Sequence, residues 1–349
     1  MTARQTWTNW AWAKKSIRRG QVSRHHTQEI LMLDIATIQN AEVTAFLPEG
    51  KDYIDVVPGR VAHIDADFLA YYAAYEREGE NKTLQDMVLA VNTMVTDLRK
   101  SCGAQTAVLH VTPQMSDKAG RSKVAVQKAY QSARSGEKPR LLEAVRAYME
   151  SPELQNVVGK SWMHAEADDG MAEAAWAAWD AGTPGLCVIA SKDKDLRIVP
   201  GLHFNFDTGE VEGAGDAFGF IDIKTTVKKN EKTGKTTKSH KPRGYGTKFF
   251  WRQMLMGDTA DTIVGIPKIG IVKAQDMLDG CSTDLECFQV VKAAYKEYAE
   301  TKGFIHWETK EDVSWADVFW SEAQMLWMQR TAGDIDDVRK WLQEVVNGS

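Results

Sequence analysis

Disulfide frameworks, zinc knots and membrane spans are all missing from this sequence. Its 349 residues hold four cysteines, Cys102, Cys187, Cys281 and Cys287, and no two stand in a C-x-x-C spacing. Such scattered thiols fit a reducing compartment and exclude a disulfide scaffold or a thiolate zinc site. Eight histidines occur without an H-E-x-x-H among them, which removes that metalloprotease pattern. No apolar run approaches the ~20 residues that a membrane span needs. The N-terminus lacks the apolar core of a signal peptide, so the expected location is a cytoplasm. An overall positive charge is also lacking. The net charge is -5, so any surface for nucleic acid must be a local patch. There is no internal repeat, and the length suits two domains, or one large core with an appendage.

What the chain does have is carboxylates at one kind of place. Glu166, Asp168 and Asp169 fall within four positions, after the apolar pair Val157 and Val158 and before the alanine-rich stretch Ala172 to Ala181. The pattern predicts a strand end, a short turn and the first turn of a helix. Two unit charges ~4 Å apart repel by about 4 kcal/mol at an effective dielectric of 20, so such a cluster calls for a cation. The same junction recurs. A strand over 60–64 runs into Asp65, with a helix starting near Phe68; Asp65 as a plain helix cap is the competing reading. A strand over 186–190 leads to Asp193 and Asp195. Asp258 and Asp261 stand at a helix start after the apolar segment 249–256, where mutual capping is their bland alternative. Further strands are expected over 106–111 and 157–163. Helices are expected over 83–98, opened by a Thr83/Asp86 capping box, and over 141–150. Alternating strands and helices predict an α/β fold with a central, mostly parallel sheet flanked by helices. Open sheets of that kind bind ligands at the carboxyl ends of their strands. The helices expected over 284–300, 315–330 and 334–346 carry no evident chemistry.

Positive charge is concentrated in two segments. Lys118, Arg121, Lys123, Lys128, Arg134, Lys138 and Arg140 crowd residues 117–140 together with Tyr130, and predict a mobile basic loop or arch. Residues 224–248 hold nine lysines and arginines, Lys241 and Arg243 among them, against Glu231 alone, and are expected to form a mobile loop with a hairpin tip. A solvated surface is the ordinary explanation for a charge run. Beside an acidic rim, each segment becomes a candidate clamp for a phosphate backbone. Near the N-terminus, Trp7, Trp10 and Trp12 precede Lys14, Lys15, Arg18 and Arg19. That mixture suits either base stacking with phosphate pairing or an amphipathic helix that packs its tryptophans. Oxygen-only ligands without His or Cys suit Mg²⁺ or Mn²⁺.

Four boxes in order carry a resemblance. Asp65 follows a strand and precedes a small residue and a helix. Glu166-Ala-Asp168-Asp169 forms a Glu-x-Asp-Asp box, and Asp193-Lys-Asp195 an Asp-x-Asp box. Gly257-Asp258-Thr-Ala-Asp261 is followed by the glycine turn Gly265 to Gly270. In this the chain resembles the 5′-nuclease superfamily of flap endonucleases and PIN-like proteins, and within it the stand-alone phage 5′→3′ exonucleases, from about Val61 to about Met277. The resemblance implies a nuclease core over 61–222, with an arch at about 113–140. It implies a basic loop, a helix–three-turn–helix DNA-binding element and C-terminal helices over 223–349, and leaves 1–60 as an extension of unknown role. It implies two Mg²⁺ ions, replaceable by Mn²⁺, one served by Asp65, Glu166 and Asp168 and the other by Asp169, Asp193, Asp195 and Asp258, with Asp261 nearby. Lys128 and Arg134 would act from the arch; Lys118, Arg121, Lys123, Tyr130, Lys241, Arg243, Gly265, Lys268 and Gly270 would hold DNA, with K⁺ at the glycine turn. The implied activity is 5′→3′ exonuclease and flap cleavage of DNA, extending to RNA primers on RNA–DNA hybrids. The implied actor is a monomer in the cytoplasm of a phage host, working with replication proteins in trans.

Two positions depart from the family pattern. The strand over 106–111 is followed by Thr112 and Pro113 where the family has an acid, and Asp117 is the nearest carboxylate. The arch motif Tyr-Lys-x-x-Arg is Tyr130-Gln131-Ser-Ala-Arg134 here, which leaves Lys128, on the same helical face as Gln131, as the expected substitute. The first departure motivates one alternative, a structure-specific DNA-binding protein with lost hydrolysis. An RNA-directed PIN-like nuclease is a second alternative, and the glycine turn counts against it.

Overall fold

Nine residues, Val57–Asp65, form the first strand, β1, and everything else in the sheet is arranged around it. In the computed structural model, which describes residue 47 and residues 53–133, 137–213, 215–229 and 236–348, six strands are ordered β3-β2-β1-β4-β5-β6. β2 is Ala104–Val111, β3 Val157–Ser161, β4 Cys187–Ala190, β5 Leu202–Asn205 and β6 Glu210–Gly213. β1 pairs in parallel with β2 on one side and β4 on the other, β2 with β3 and β4 with β5 likewise, and only β6 runs antiparallel. The chain therefore winds outward from β1 in one direction, returns, and winds outward in the other. The crevice between β1 and β4 is the switch point at which such sheets bind ligands. The α/β architecture with a mostly parallel sheet is as expected from the sequence. The Trp7 to Arg19 segment and Arg134 lie outside the described residues.

Helices cover both faces. Helix α1 (Ala66–Ala74), α2 (Leu84–Ser101) and, further along, Leu142–Met149 bury Leu69, Met94, Leu98 and Val145 against Ile64, Leu109 and Val188. α2 begins with the expected capping box: Thr83 N donates to Asp86 Oδ2 (2.8 Å) and Asp86 N to Thr83 Oγ1 (3.2 Å). Between them lies the short α3, Arg121–Val124, so the helix over 142–149 is α4. The other face receives α5 (Ala167–Asp180), α6 (Thr247–Met256), α7 (Ile271–Leu278), α8 (Asp284–Thr301), α9 (Trp315–Leu326) and α10 (Asp337–Asn347). There Ile189 and Met171 share one core with Phe250, Trp251, Trp327 and Trp341. Core packing thus runs unbroken from the sheet into the C-terminal helices.

The segment 224–248, expected as a mobile loop, is mostly paired strand. β7 (Phe220–Lys229) and β8 (Thr236–Tyr245) make a two-stranded antiparallel ribbon of ten pairs. Its charged residues hide the strand signal, because neither face alternates with apolar side chains for most of its length.

Candidate active site

Local geometry brings the carboxylates to the switch point. Asp65 ends β1 and caps α1: its Oδ1 accepts from Phe68 N (2.9 Å) and its Oδ2 from Ser191 Oγ (2.7 Å), which ties the ends of β1 and β4 together. Beyond β4, Asp193 Oδ1 accepts from Asp195 N (2.8 Å), and Asp195 Oδ1 from Gln253 Nε2 of α6 (2.6 Å). Asp168 lies in the first turn of α5. A cleft of about 650 Å³ is lined by Asp65, Asp67, Glu166, Asp168, Asp193, Asp195 and Asp261. Lys118, Gln131, Lys138 and Arg146 stand along the same cleft.

Electrostatics in the cleft is that of anions held together. Burial, with Asp67 and Asp193 adding repulsion, raises the Asp65 carboxyl to about 7. Asp168 is pushed far above the carboxylate range by burial and then by Asp193, Asp65, Glu166 and Asp169. Asp195 rises for the same reasons, burial first and Asp193 next, with Lys194 opposing. Glu166 goes the other way. Burial would raise it, but Arg121 and Lys118 outweigh that and hold it low.

Among the described residues, Asp195, Asp258 and Asp261 each bring a carboxylate oxygen to within 4.8 Å of the others. The Lys194 ammonium lies 3.1 Å from Asp195 Oδ1 and is bonded to Asp258 Oδ2. A cation thus stands where this oxygen set demands one. Such a donor set suits a hard divalent ion.

Several expected residues sit elsewhere. Asp169 was expected among the metal ligands, but it is 0% exposed and turned into the protein. Successive helix residues point about 100° apart, so when Asp168 faces the cleft Asp169 cannot. Its Oδ2 accepts from Arg121 Nη1 (2.6 Å) and from Glu166 N (3.1 Å), and its Oδ1 from Arg121 Nη2 (2.7 Å). Arg121, expected on DNA, is itself 0% exposed; it also donates to Glu166 Oε2 (3.0 Å) and Trp327 O (2.9 Å). Asp117 does not reach the cleft and pairs with His164 (3.0 Å) at the surface. Asp67 lines the cleft instead, with its Oδ2 accepting from Thr112 N (3.1 Å) and Arg146 Nε 3.0 Å from its Oδ1. Lys128 is exposed and stands off the cleft. The lysine beside Gln131 is Lys118, whose Nζ is 2.7 Å from Gln131 Oε1 and 3.1 Å from Glu166 Oε1. Tyr130 also faces inward, donating to Glu166 Oε2 (2.9 Å). Lys123, Lys241, Arg243 and Lys268 are exposed. In the described part of the arch, helix is confined to a 3₁₀ turn over Lys118–Gly120 and to α3.

Under the rim, a polar ladder runs from β1 across β2 to the residue that follows β3. Trp162 Nε1 donates to His110 Nδ1 (3.0 Å), and His110 Nε2 is 2.9 Å from His63 Nδ1. Indole nitrogen is a donor only. His110 therefore carries its proton on Nε2 and donates to His63. Burial, reinforced by Lys160, lowers His63 to about 4, which keeps the ladder neutral. Gly170 makes room for it, since a Cβ there would lie 2.0 Å from the Trp162 ring.

The glycine turn is held by a residue from the C-terminal helices, which showed no chemistry in the sequence. Gly257 and Gly265 both have positive φ, and a Cβ on Gly265 would fall 2.3 Å from Gly257 N. Asp258 N and O exchange hydrogen bonds with Ile263 (2.8 and 2.7 Å), which closes a tight turn where a helix start was expected. Gly270 has ordinary φ and open space at Cβ, and caps α7. Glu322 of α9 accepts from Gly265 N (3.0 Å) and from Gln127 Nε2 (2.7 Å), and Gln127 Nε2 also reaches Gly265 O (2.8 Å). Burial raises the Glu322 carboxyl to about 7, against opposing hydrogen bonds from Gly265, Gln127 and Val264. Because the folded value exceeds the unfolded one near 4.5, its stabilising share is full below about pH 4.5. That share is lost as pH climbs through about 7, a swing of about 3 kcal/mol. Glu322→Gln is expected to shrink the loss of stability between pH 5 and pH 8 by that order. At pH 5 it should cost about 1 kcal/mol for one mismatched amide contact. Urea unfolding at the two pH values measures both.

The fold and the site define an α/β protein with an oxygen-lined, cation-demanding cleft at the switch point of its parallel sheet. No protein-family model matches the chain, and no curated protein matches it. Among solved structures it is similar to a bacteriophage T5 protein co-crystallised with metal ions, at 12% identity over 82% of this chain and 98% of that one, with a TM-score of 0.48. It is similar in the same proportions, at a TM-score of 0.47, to the bacteriophage T5 flap endonuclease in a pseudo-enzyme–product complex with DNA and metal ions. A zinc-bound bacteriophage T5 5′-exonuclease matches at 13% identity and a TM-score of 0.48, again over 82% and 98% of the two chains.

Proposed function

We propose that this chain is a divalent-metal-dependent 5′ nuclease that hydrolyses phosphodiester bonds in DNA. One observation carries the reading: seven carboxylates share a single cleft at the sheet's switch point, with lysine and arginine along the same walls. Asp65, Asp168 and Asp193, with Asp67 and Glu166 beside them, would hold one Mg²⁺ or Mn²⁺. Asp195, Asp258 and Asp261 would hold the second. When bound, such a pair supplies an activated water and neutralises charge on the leaving oxygen. The chain's own residues do the positioning. Lys118 and Arg146 set positive charge at the cleft for the phosphate flanking the cut. Arg121 and Tyr130 hold Glu166 in its ionised, inward-facing orientation. Gly265 is buried with its N–H on Glu322, so the exposed end of the glycine turn, Lys268 and Gly270, would meet a duplex phosphate, and a K⁺ ion there would assist.

Polarity from a 5′ end, and activity on flaps, are part of the proposal because the four acidic boxes resemble those of the 5′-nuclease superfamily in kind and order. Removal of RNA primers from RNA–DNA hybrids, and work beside replication proteins as a cytoplasmic monomer, belong to the same proposal. The test is cleavage of 5′-labelled duplex and flapped DNA. Short 5′ products are expected with Mg²⁺ and none in EDTA. A second reading, a DNA-binding protein without hydrolysis, is favoured by the Lys194 ammonium seated on Asp195 and Asp258. The same assay decides, because retained flap binding with no product at any Mg²⁺ or Mn²⁺ concentration rejects the nuclease.

A further inference from the structure

The two oxygen sets of the cleft differ in how their charge is balanced. Lys118 and Arg121 pair with Glu166, and Arg146 with Asp67. Among the described residues that leaves Asp65, Asp168 and Asp193 without a lysine or arginine in ion-pair contact. The second set carries a cation of its own. The Lys194 ammonium lies 3.1 Å from Asp195 Oδ1 and is bonded to Asp258 Oδ2. Of the charges acting on Asp195, those of Asp193, Asp258 and Asp261 repel it and that of Lys194 attracts it. The acids here are fixed. Asp195 is buried, opens the 3₁₀ turn Asp195–Ile198, and its Oδ1 also accepts from Gln253 Nε2 (2.6 Å). Asp258 is buried, its Oδ1 accepts from Ala260 N (2.8 Å), and its backbone is bridged to Ile263. The lysine is not fixed. Its backbone angles are ordinary helical ones, and its side chain is 36% exposed. Rotation of the four-carbon stem is enough to carry the ammonium out to water.

We propose that Lys194 is a built-in competitor for the second divalent ion. It holds Asp195 and Asp258 together until an ion takes its place, and so sets how much divalent metal the protein must meet before the second set fills. The inference rests on the nuclease reading and adds to it the order and threshold of ion entry. Two cations placed among three carboxylate oxygens that lie within 4.8 Å of one another repel strongly. The ammonium therefore has to leave, and the contacts it gives up are subtracted from the affinity of the ion. Departure without replacement would strand two buried carboxylates, which makes the exchange one for one. Asp65, Asp168 and Asp193 impose no such exchange, so their set fills first.

The test is Mn²⁺ titration of the full-length protein without DNA, followed by electron paramagnetic resonance of the free ion, with calorimetric Tm in EDTA and in Mn²⁺. Wild type should bind in two steps, the second weaker. Lys194→Met should tighten the second step by about 10- to 100-fold, the equivalent of one charge-assisted hydrogen bond, and leave the first step unchanged. The same variant should have a lower Tm than wild type in EDTA and a larger rise on adding Mn²⁺. Lys194→Gln, which keeps a donor without the charge, should move both readouts the same way, and Lys194→Arg should stay close to wild type. A lysine with a merely structural role would lower Tm in both conditions and leave the second step as it was. A second step of equal or lower affinity in Lys194→Met and Lys194→Gln overturns the proposal. If the variants bind as expected but wild type cuts no DNA in Mg²⁺, the nuclease reading alone fails. If wild type cuts and the substitutions leave its second step untouched, the competitor alone fails. No uptake of Mn²⁺ by any of these proteins rejects both.

Discussion

Asp168→Asn is expected to lower DNA cleavage by at least about 10³-fold and, at pH 8 without divalent ions, to raise Tm. The two effects have one cause. Asp168 is forced upward by burial and by Asp193, Asp65, Glu166 and Asp169, so its ionised form opposes folding when no cation is bound. A carboxyl whose folded pKa is raised contributes stability that is complete below its unfolded value and disappears as pH rises through the folded one. The neutral amide removes that penalty, and the variant should lose less stability than wild type between pH 5 and pH 8. It also removes a ligand oxygen with full charge from the cleft. Added Mn²⁺ should then stabilise wild type more than the variant. A Tm that falls in the variant without metal would mean that Asp168 is an ordinary structural acid. Calorimetry in EDTA and in Mn²⁺, beside a cleavage assay, reads all of this.

Arg121→Ala carries the largest expected loss of stability, about 3–5 kcal/mol, seen as a Tm lower by roughly 6–15 °C. Asp169 would be left fully buried with its bidentate partner gone. Glu166 would lose the guanidinium that, with Lys118, keeps it ionised. Cleavage should therefore fall along with stability. Arg121→Lys should recover only part of either, because a point charge cannot bridge both Asp169 oxygens and reach Trp327 O together. Replacing the pair, Arg121→Met with Asp169→Leu, should restore much of the Tm, since a well-packed apolar pair can match a buried ion pair. It should not restore cleavage, because Glu166 remains unsupported. Equal Tm for wild type and Arg121→Ala would contradict this account of the pair.

The acidic rim was legible in the sequence because each carboxylate falls where an apolar strand pattern gives way to a helix pattern. That is a local signal, and it placed Asp65, Glu166, Asp168, Asp193 and Asp195 on one cleft, with Asp261. What failed was direction and distance. Asp168 and Asp169 look equivalent as letters, yet helical pitch sends one to the cleft and the other to Arg121. Arg121 looked like any member of a basic run, because nothing local marks the buried partner 48 positions away. Asp117 is the nearest acid after the strand ending at Val111, yet Asp67, two residues after Asp65 in the first turn of α1, is the one on the rim. Glu322 gave no signal, since a lone glutamate in an apolar helix pattern shows its purpose only beside the turn it holds. The ribbon was hidden by its own lysines.

The measurement that bears most directly on this account is a crystal of the full chain grown with Mn²⁺ and recorded at the manganese edge. Two anomalous peaks are expected in the cleft, one among Asp195, Asp258 and Asp261 with the Lys194 ammonium displaced, the other among Asp65, Asp168 and Asp193. A cleft free of manganese, with Lys194 still seated on Asp258, would contradict it.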